Sequence, residues 1–367
     1  MKTLLLSTAL ALAAFAGTAF AEITVTDVEG RTVTVPDVPK RVVLGFYYED
    51  YLAIVGPGAL DKVVALSLST WRDWRPNQFA AYEAALPSLA AIPDVGDTES
   101  GTFSVEKVIA AKPDLLIVAA WSYDTLGEQV KQIEAAGIPI VVLDYNAQTV
   151  EKHVASTLAL GKLMGTEDRA EALAANYQTA MEDIHARIEK AGPTDKKVYV
   201  ELAQKGPSEV GNSYGDTMWG ALVEELGGHN IAQGQVGNWG PLSPEYVLAE
   251  KPDLIFLAGS EWRNKPESVQ MGFGVDPGLT RERMAAYLTR PGWADLPAAK
   301  DGGVHAIYHG GSRTLSDYVY AQYIAKQLYP AAFADVDPAA NIRAYYEKWL
   351  PIPADGVFVL PYETVTQ

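Results

Sequence analysis

Apolar side chains recur at Ala170, Leu173, Ala174, Tyr177, Met181, Ile184 and Ile188, the spacing of a single stripe along an α-helix. The stretch Thr166–Lys190 therefore predicts one uninterrupted helix, about 36 Å long at 1.5 Å per residue. Thr166 suits the N-cap, Glu167 and Asp168 suit the positive first turn, and Gly192-Pro193 ends the run. A repeated pattern flanks this rod. Ser104–Val118 reads SVEKVIAAKPDLLIV and Ser243–Leu257 reads SPEYVLAEKPDLIFL, identical at eight of fifteen positions and offset by 139 residues. Each copy has a serine N-cap, a short amphipathic helix, a Lys-Pro-Asp turn and an apolar run suited to a buried parallel strand.

The remaining pattern alternates between the two periods. Residues 22–36 alternate apolar and polar around Glu29-Gly30, an opening β-hairpin. Strands are expected at 41–44, 62–66, 138–143, 197–202 and 304–308, and helices at 124–136, 150–164, 281–288, 315–328 and 340–350. A glycine-terminated helix is expected within 213–228. Residues 266–278 read as an irregular loop and the end of the chain as a packed tail. The fold class that follows is α/β: two Rossmann-like lobes with parallel-stranded sheets, joined by one long rigid helix. The expected division is a leader at 1–21, a first lobe at 22–149, a linking helical segment at 150–192 and a second lobe at 193–367.

Length agrees, since 367 residues exceed one ordinary core and suit two. The first 21 residues, MKTLLLSTALALAAFAGTAFA, pair Lys2 with an apolar run and a small-x-small site. They predict a secretory signal cleaved after Ala21 and hence a periplasmic protein. The sequence contains no cysteine, so disulfides, thiolate metal sites and a lipid-bearing cysteine are excluded. A net charge of −17 argues against nucleic acid or an anionic membrane as partner. There is no G-x-S-x-G elbow, no phosphate-binding G-x-x-x-x-G-K-[ST] and no H-E-x-x-H. Ser213 with Asp216 and His229 is the nearest approach to a nucleophile set and reads better as a ligand loop. No catalytic residue is assigned, and a periplasmic hydrolase is the distant alternative.

Candidate chemistry lies in the loops beyond the carboxyl ends of the expected strands, where open α/β sheets bind ligands. These loops carry Tyr47 and Tyr48, then Trp71, Arg72, Trp74 and Arg75, then Trp121 and Tyr123. The second half adds Tyr214, Trp239, Trp262, Arg263, His309 and Arg313. Flat rings give rigid contact area, and arginine pairs bidentately with carboxylate or catecholate oxygens. Such a lining suits a bulky, partly aromatic, anionic metal chelate. His305 and His309 sit four apart on an expected strand, roughly 13 Å from each other, too far to share one metal. No direct metal site is assigned. The remaining histidines, His153, His185 and His229, read as solvated or ordinary packing residues.

The chain resembles the periplasmic substrate-binding proteins of iron-complex uptake transporters, the helix-linked class with siderophore, haem and cobalamin binders. The resemblance is carried by TVTDVEGRTVTVPDVPKRVV, both copies of SxE…KPDL, VEELGGHNIA and LTRPGWADLPAAKDGGVHAI. It implies a ligand clamped between two lobes and delivered to an inner-membrane ABC permease with its ATPase. It also implies that Glu106 and Glu245, one in each repeat copy, dock the permease, although a carboxylate there also suits the helix dipole. The expected ligand is a ferric siderophore, bound by a monomer with no resident cofactor. Haem is the first substitute, since Tyr47, Tyr48 or His309 could ligate its iron. Cobalamin and a bare metal or oxyanion come next; His309 with Tyr47, Glu49 or Asp50 would serve a bare metal. Lobe closure is expected to span only a few degrees, limited by the rod.

Overall fold

The computed structural model describes residues 22–363; the expected leader at residues 1–21 and its cleavage after Ala21 lie outside the described residues. The opening hairpin pairs β1 (Ile23–Thr26) with β2 (Thr32–Val35). A four-stranded, wholly parallel sheet follows, built from β3 (Val42–Leu44), β4 (Val63–Leu66), β5 (Leu115–Ala119) and β6 (Ile140–Leu143) in the order β4-β3-β5-β6. The second half holds β7 (Lys197–Leu202), β8 (Asn212–Tyr214), β9 (His229–Asn230), β10 (Trp239–Pro241), β11 (Leu254–Gly259), β12 (Gly272–Phe273), β13 (Val304–Tyr308), β14 (Gly356–Val357) and β15 (Val359–Pro361). Its main sheet has the order β15-β13-β11-β7-β9.

The two repeat copies fall in different sheets, as two lobes require. Ser104 Oγ accepts from the Lys107 N–H at 3.2 Å, and Ser243 Oγ accepts from the Tyr246 N–H at 3.1 Å. Each cap starts a short helix, Val105–Ala110 or Pro244–Glu250, that leads into β5 or β11. Every residue of those two strands is buried, the signature of a parallel strand covered on both faces.

Between the sheets runs a helix over Glu167–Ala191, whose 25 residues span about 37 Å. The predicted stripe is the buried one, with Ala170, Leu173, Ala174, Tyr177, Met181 and Ile184 all turned inward. It packs along the helix Val150–Met164 and touches helix Tyr48–Val55 of the first lobe and helix Tyr318–Leu328 of the second. In its first turn Arg169 donates to the Ala53 carbonyl and, at 2.9 Å, to the Trp349 carbonyl, tying both lobes to the rod. Among the described residues, no helix is long and apolar enough to cross a membrane.

Several local expectations change. The helix expected at 124–136 is two, Ala120–Leu126 and Gln129–Ala135, because Gly127 turns the chain at φ 49°. Thr166 occupies the N-cap but its hydroxyl makes no capping bond. Its ψ of 38° lies outside the extended region from which a side chain reaches the next N–H groups. The loop at 266–278 holds β12, which pairs with β14, and the packed tail includes β15, laid antiparallel on β13. The second sheet is therefore parallel with one antiparallel edge. An unexpected ribbon of β8 and β10 stands beside it.

Candidate ligand-binding cleft

The carboxyl ends of both sheets open into one cleft of about 720 Å³. The first lobe lines it with Trp74, Arg75, Thr98, Glu99, Trp121, Thr125 and Asn146. The second supplies Leu202, Gln204, Asn212, Tyr214, Thr217, Met218, Asn238, Trp239, Ser260, Trp262, His309, Gly310 and Arg313. These positions follow β4, β5 and β6 on one side and lie in or beside β7, β8, β10, β11 and β13 on the other. The topology thus brings eight of the sequence-predicted residues to one place: Trp74, Arg75, Trp121, Tyr214, Trp239, Trp262, His309 and Arg313.

The other six are not among its lining residues. Trp71 is fully buried, stacked on Tyr48 at 4.7 Å, with its indole N–H donating to Gln78 Oε1 at 2.9 Å. Tyr48 is buried with it and bonds Thr70 and the Ser67 carbonyl. Both belong to the loop base because a ring that size beside helix Pro76–Ala85 has more apolar surface to cover there than at the rim. Tyr47 is 3% exposed; its hydroxyl donates to Asn146 Oδ1 at 2.8 Å and accepts from the Tyr145 N–H at 3.2 Å. Arg72 is exposed and paired with Asp73, Arg263 is exposed, and Tyr123 lies under the Arg31 guanidinium at 4.4 Å.

Within the cleft the rings form two walls. Behind the first-lobe lining, the buried ring of Phe46, not singled out from sequence, lies 6.4 Å from Trp74 and 5.2 Å from Trp121. On the second-lobe side, the His309 ring lies 6.1 Å from Tyr214 and 6.3 Å from Trp262. Trp239 is 60% exposed, an unusual place for so large a ring. Arg313 reaches between the walls, its guanidinium 5.3 Å from the Phe46 ring centre.

Electrostatics distinguishes this cleft from an apolar gap. Among the described residues, neither Arg75 nor Arg313 has a carboxylate within ion-pair distance, and Arg313 Nε and Trp121 Nε1 are buried donors with no partner. Burial, then repulsion from Arg75, brings the Arg313 pKa down to about 10, so it stays charged at neutral pH. Burial also opposes the charge of Arg75, but Tyr308, Glu49, Tyr346 and Glu261 beneath the cleft outweigh it. The exposed Glu99 is the single acidic side chain in the lining. Burial, then Arg313 and Arg75, holds His309 well below the usual histidine range and therefore neutral. Its Nδ1 accepts from the Trp219 indole N–H at 3.3 Å, which leaves the ring proton on Nε2 as a donor. The cleft is thus rich in donors and positive charge, framed by aromatic faces.

Residues 42–308 match the periplasmic binding protein family. The chain belongs to that family. It is a family of extracytoplasmic substrate-binding transport proteins rather than enzymes. The crystal structure of the TroA-like periplasmic binding protein FepB from Veillonella parvula is similar at 32% identity, with a TM-score of 0.88, over 93% of this chain and 100% of that one. The molybdate-binding protein MolA of Haemophilus influenzae is 24% identical over 95% of this chain and 96% of its own length. An uncharacterised ABC transporter substrate-binding lipoprotein of Bacillus subtilis is 23% identical over 85% of this chain and 87% of its own length.

Glu106 and Glu245 are both exposed in the first turn of their capped helices. His305 is buried in β13, its Nδ1 bonded to the Tyr323 hydroxyl at 3.0 Å. His153, read from sequence as ordinary, is buried and paired with Asp317 at 2.9 Å. Thr98, Glu99, Asn146, Gln204, Asn212 and Asn238 are polar lining residues that sequence reasoning missed. Small polar residues in turns are common enough that only the fold separates these from the rest.

Proposed function

We propose that this protein captures a ferric siderophore, or a closely related anionic iron chelate, between its lobes and delivers it to an inner-membrane ABC permease with its ATPase. The observation that carries the reading is the pair Arg75 and Arg313: two guanidinium groups held in a ring-lined cleft without carboxylate partners. A buried cation such as Arg313, whose charge its own surroundings oppose, is costly unless a ligand anion completes it. Trp74, Trp121, Trp239 and Trp262 supply flat faces for an aromatic chelate. Among the described residues no three histidine or acidic side chains gather to hold an ion, which favours iron arriving with its own ligands. The B. subtilis relative's ABC-transporter designation supports the permease as partner.

Haem ligated by the protein fits less well. The Tyr47 hydroxyl is engaged at both sides and burial holds it protonated, Tyr48 lies below the cleft, and His309 presents an N–H donor. MolA makes an oxyanion the second reading, since paired arginines suit it equally. A tetrahedral oxyanion fills on the order of 100 Å³, taking about 30 Å³ per water-sized group, a small part of a cleft of about 720 Å³. Glu106 and Glu245 are proposed to meet basic pockets of the two permease subunits. Charge reversal at both should abolish transport while ligand affinity is unchanged; unimpaired transport removes that role.

The deciding experiment titrates purified protein lacking residues 1–21 with ferric catecholates, hydroxamates and citrate, haem, cobalamin and molybdate, following tryptophan fluorescence. Ferric chelates should quench at the lowest concentrations. Quenching by haem alone, or a response to molybdate alone, overturns the siderophore reading.

A further inference from the structure

The segment Ser312–Asp317 carries Arg313 into the cleft, and Arg313 sits at φ 59° in the left-handed region. A long side chain persists there only when its surroundings fix it. Two fixing bonds come from outside the second lobe. The Leu315 N–H donates to Asp50 Oδ1 at 2.7 Å, from helix Tyr48–Val55. Asp317 Oδ2 lies 2.9 Å from His153 Nε2, on helix Val150–Met164 beside the rod.

The surroundings of His153 define its charge. Nδ1 lies 2.9 Å from the Thr149 carbonyl, while Nε2 faces the Asp317 carboxylate. Both neighbours are acceptors, and a neutral imidazole has one N–H, so the arrangement calls for an imidazolium opposite a carboxylate. Burial opposes that charge, and Asp317, the Thr149 carbonyl and Asp50 outweigh it, so the ring holds its proton above the usual histidine range. Tyr177 of the rod stacks on the ring at 4.6 Å and 9°, and Tyr145 meets its edge at 5.1 Å. His153 is fully buried, and Asp317 is 1% exposed. An ion pair this dry is weak support for stability by itself, and neither residue lines the cleft. Its location suggests another purpose: it joins the linking helices to the loop that presents the ligand-facing arginine.

We propose that His153 is a positioning residue for ligand binding, its imidazolium pinning Asp317 so that Arg313 is held in the cleft in the orientation that grips an anionic ligand. The proposal rests on the reading of Arg313 as a ligand contact. It makes the second lobe's key cation answer to the strut rather than to its own lobe alone.

The test uses the mature protein as wild type, His153→Gln and the double variant His153→Gln with Asp317→Asn. Glutamine keeps an N–H near the Nε2 position without the charge, and in the double variant that N–H faces a neutral carbonyl. Amide hydrogen exchange, followed by mass spectrometry without ligand, should be about ten-fold faster across 312–317 in the single variant, the loss of one charge-assisted contact. The rod and both sheets should exchange as in wild type, and the double variant should recover most of the protection. Affinity for a ferric tris(catecholate) should weaken about ten-fold in the single variant and recover in the double. Unchanged exchange at 312–317, or acceleration spread evenly over both lobes, overturns the proposal. So does faster local exchange with undiminished affinity. If wild type does not bind the chelate, the chelate reading fails, and the exchange comparison decides the His153 anchor on its own. Should His153→Gln not fold, Asp317→Asn carries the same comparison with the ring intact.

Discussion

Replacing Arg313 by methionine should move stability and affinity in opposite directions. Without ligand the guanidinium has no carboxylate within ion-pair distance, and burial, then repulsion by Arg75, brings its pKa down from the ordinary arginine range to about 10. At about 1.4 kcal/mol per pH unit, this is roughly 3 kcal/mol against the charged form. Because the folded value lies below the unfolded one, the penalty is present in full below about pH 10 and fades as the pH rises above it. Methionine keeps an apolar stem against Phe46 while discarding the charge, so the ligand-free variant should be about 1–3 kcal/mol more stable. Binding should suffer: removing one partner of a buried charge pair costs about 2–5 kcal/mol, which is about 30-fold to several thousand-fold in Kd. Urea unfolding of the ligand-free protein at pH 7.5 measures the first quantity, and tryptophan-quenching titration with a ferric catecholate measures the second. A variant less stable than wild type refutes this electrostatic account of Arg313. A more stable variant that binds as tightly refutes the role of Arg313 in gripping the anion.

Arg290→Met should destabilise by about 3–5 kcal/mol in urea, because Arg290 Nη1 and Nη2 lie 2.6 and 2.9 Å from the buried carboxylate of Glu201. Trp239→Ala should change stability by no more than about 0.5 kcal/mol, since the ring is 60% exposed. The same change should weaken an aromatic chelate by about 2- to 10-fold while leaving citrate almost unaffected. Tyr346→Phe removes a donor 2.7 Å from buried Glu49 and should cost about 1–3 kcal/mol with no effect on helix content by circular dichroism. Burial pushes the Asp50 and Glu261 carboxyls up to about 8. The folded state then binds more protons than the unfolded chain between about pH 4 and 8, so stability should fall as pH rises through that window. The double variant Asp50→Asn with Glu261→Gln should flatten this slope, read from urea midpoints at half-unit pH intervals.

What the sequence makes legible follows from the reach of each signal. Helical periodicity over 166–190 and the two KPDL copies are local patterns, and each appears where its spacing demands, as does the fully apolar run of β5 or β11. Short β8, β10, β12 and β15 escape notice because two or three residues carry no period, and their partners lie far along the chain. Loop position after a strand correctly marks Arg75, Trp121 and Arg313 as neighbours in space. It cannot say which way a ring turns, so Trp71 and Trp74, three residues apart, read alike although one is core and the other faces the cleft. His153 looked ordinary for the same reason: its partner Asp317 is 164 residues away.

Beneath the cleft floor the two lobes meet through groups that cannot part cheaply, and this bears on how the molecule closes. Glu49 accepts from Gln78 and Tyr82 of its own lobe and from Tyr346 of the other, each at 2.7 Å. The Gln78 N–H donates to Glu261 at 3.1 Å, and Asn77 donates to the Phe273 carbonyl at 2.8 Å. With Leu315 on Asp50, four such bonds cross between the lobes. Three of the four are buried, Asn77 being exposed; leaving a buried polar group unpaired costs about 1–3 kcal/mol each, so a motion that opened them would cost a large part of the protein's stability. Any closure is therefore expected to pivot about this seam, with the apolar core continuing past it into the rod. A few degrees is the expected travel, limited by the buried polar contacts as much as by the helix, and on the proposed function discrimination among anions would fall to Arg75, Arg313 and the rings beside them.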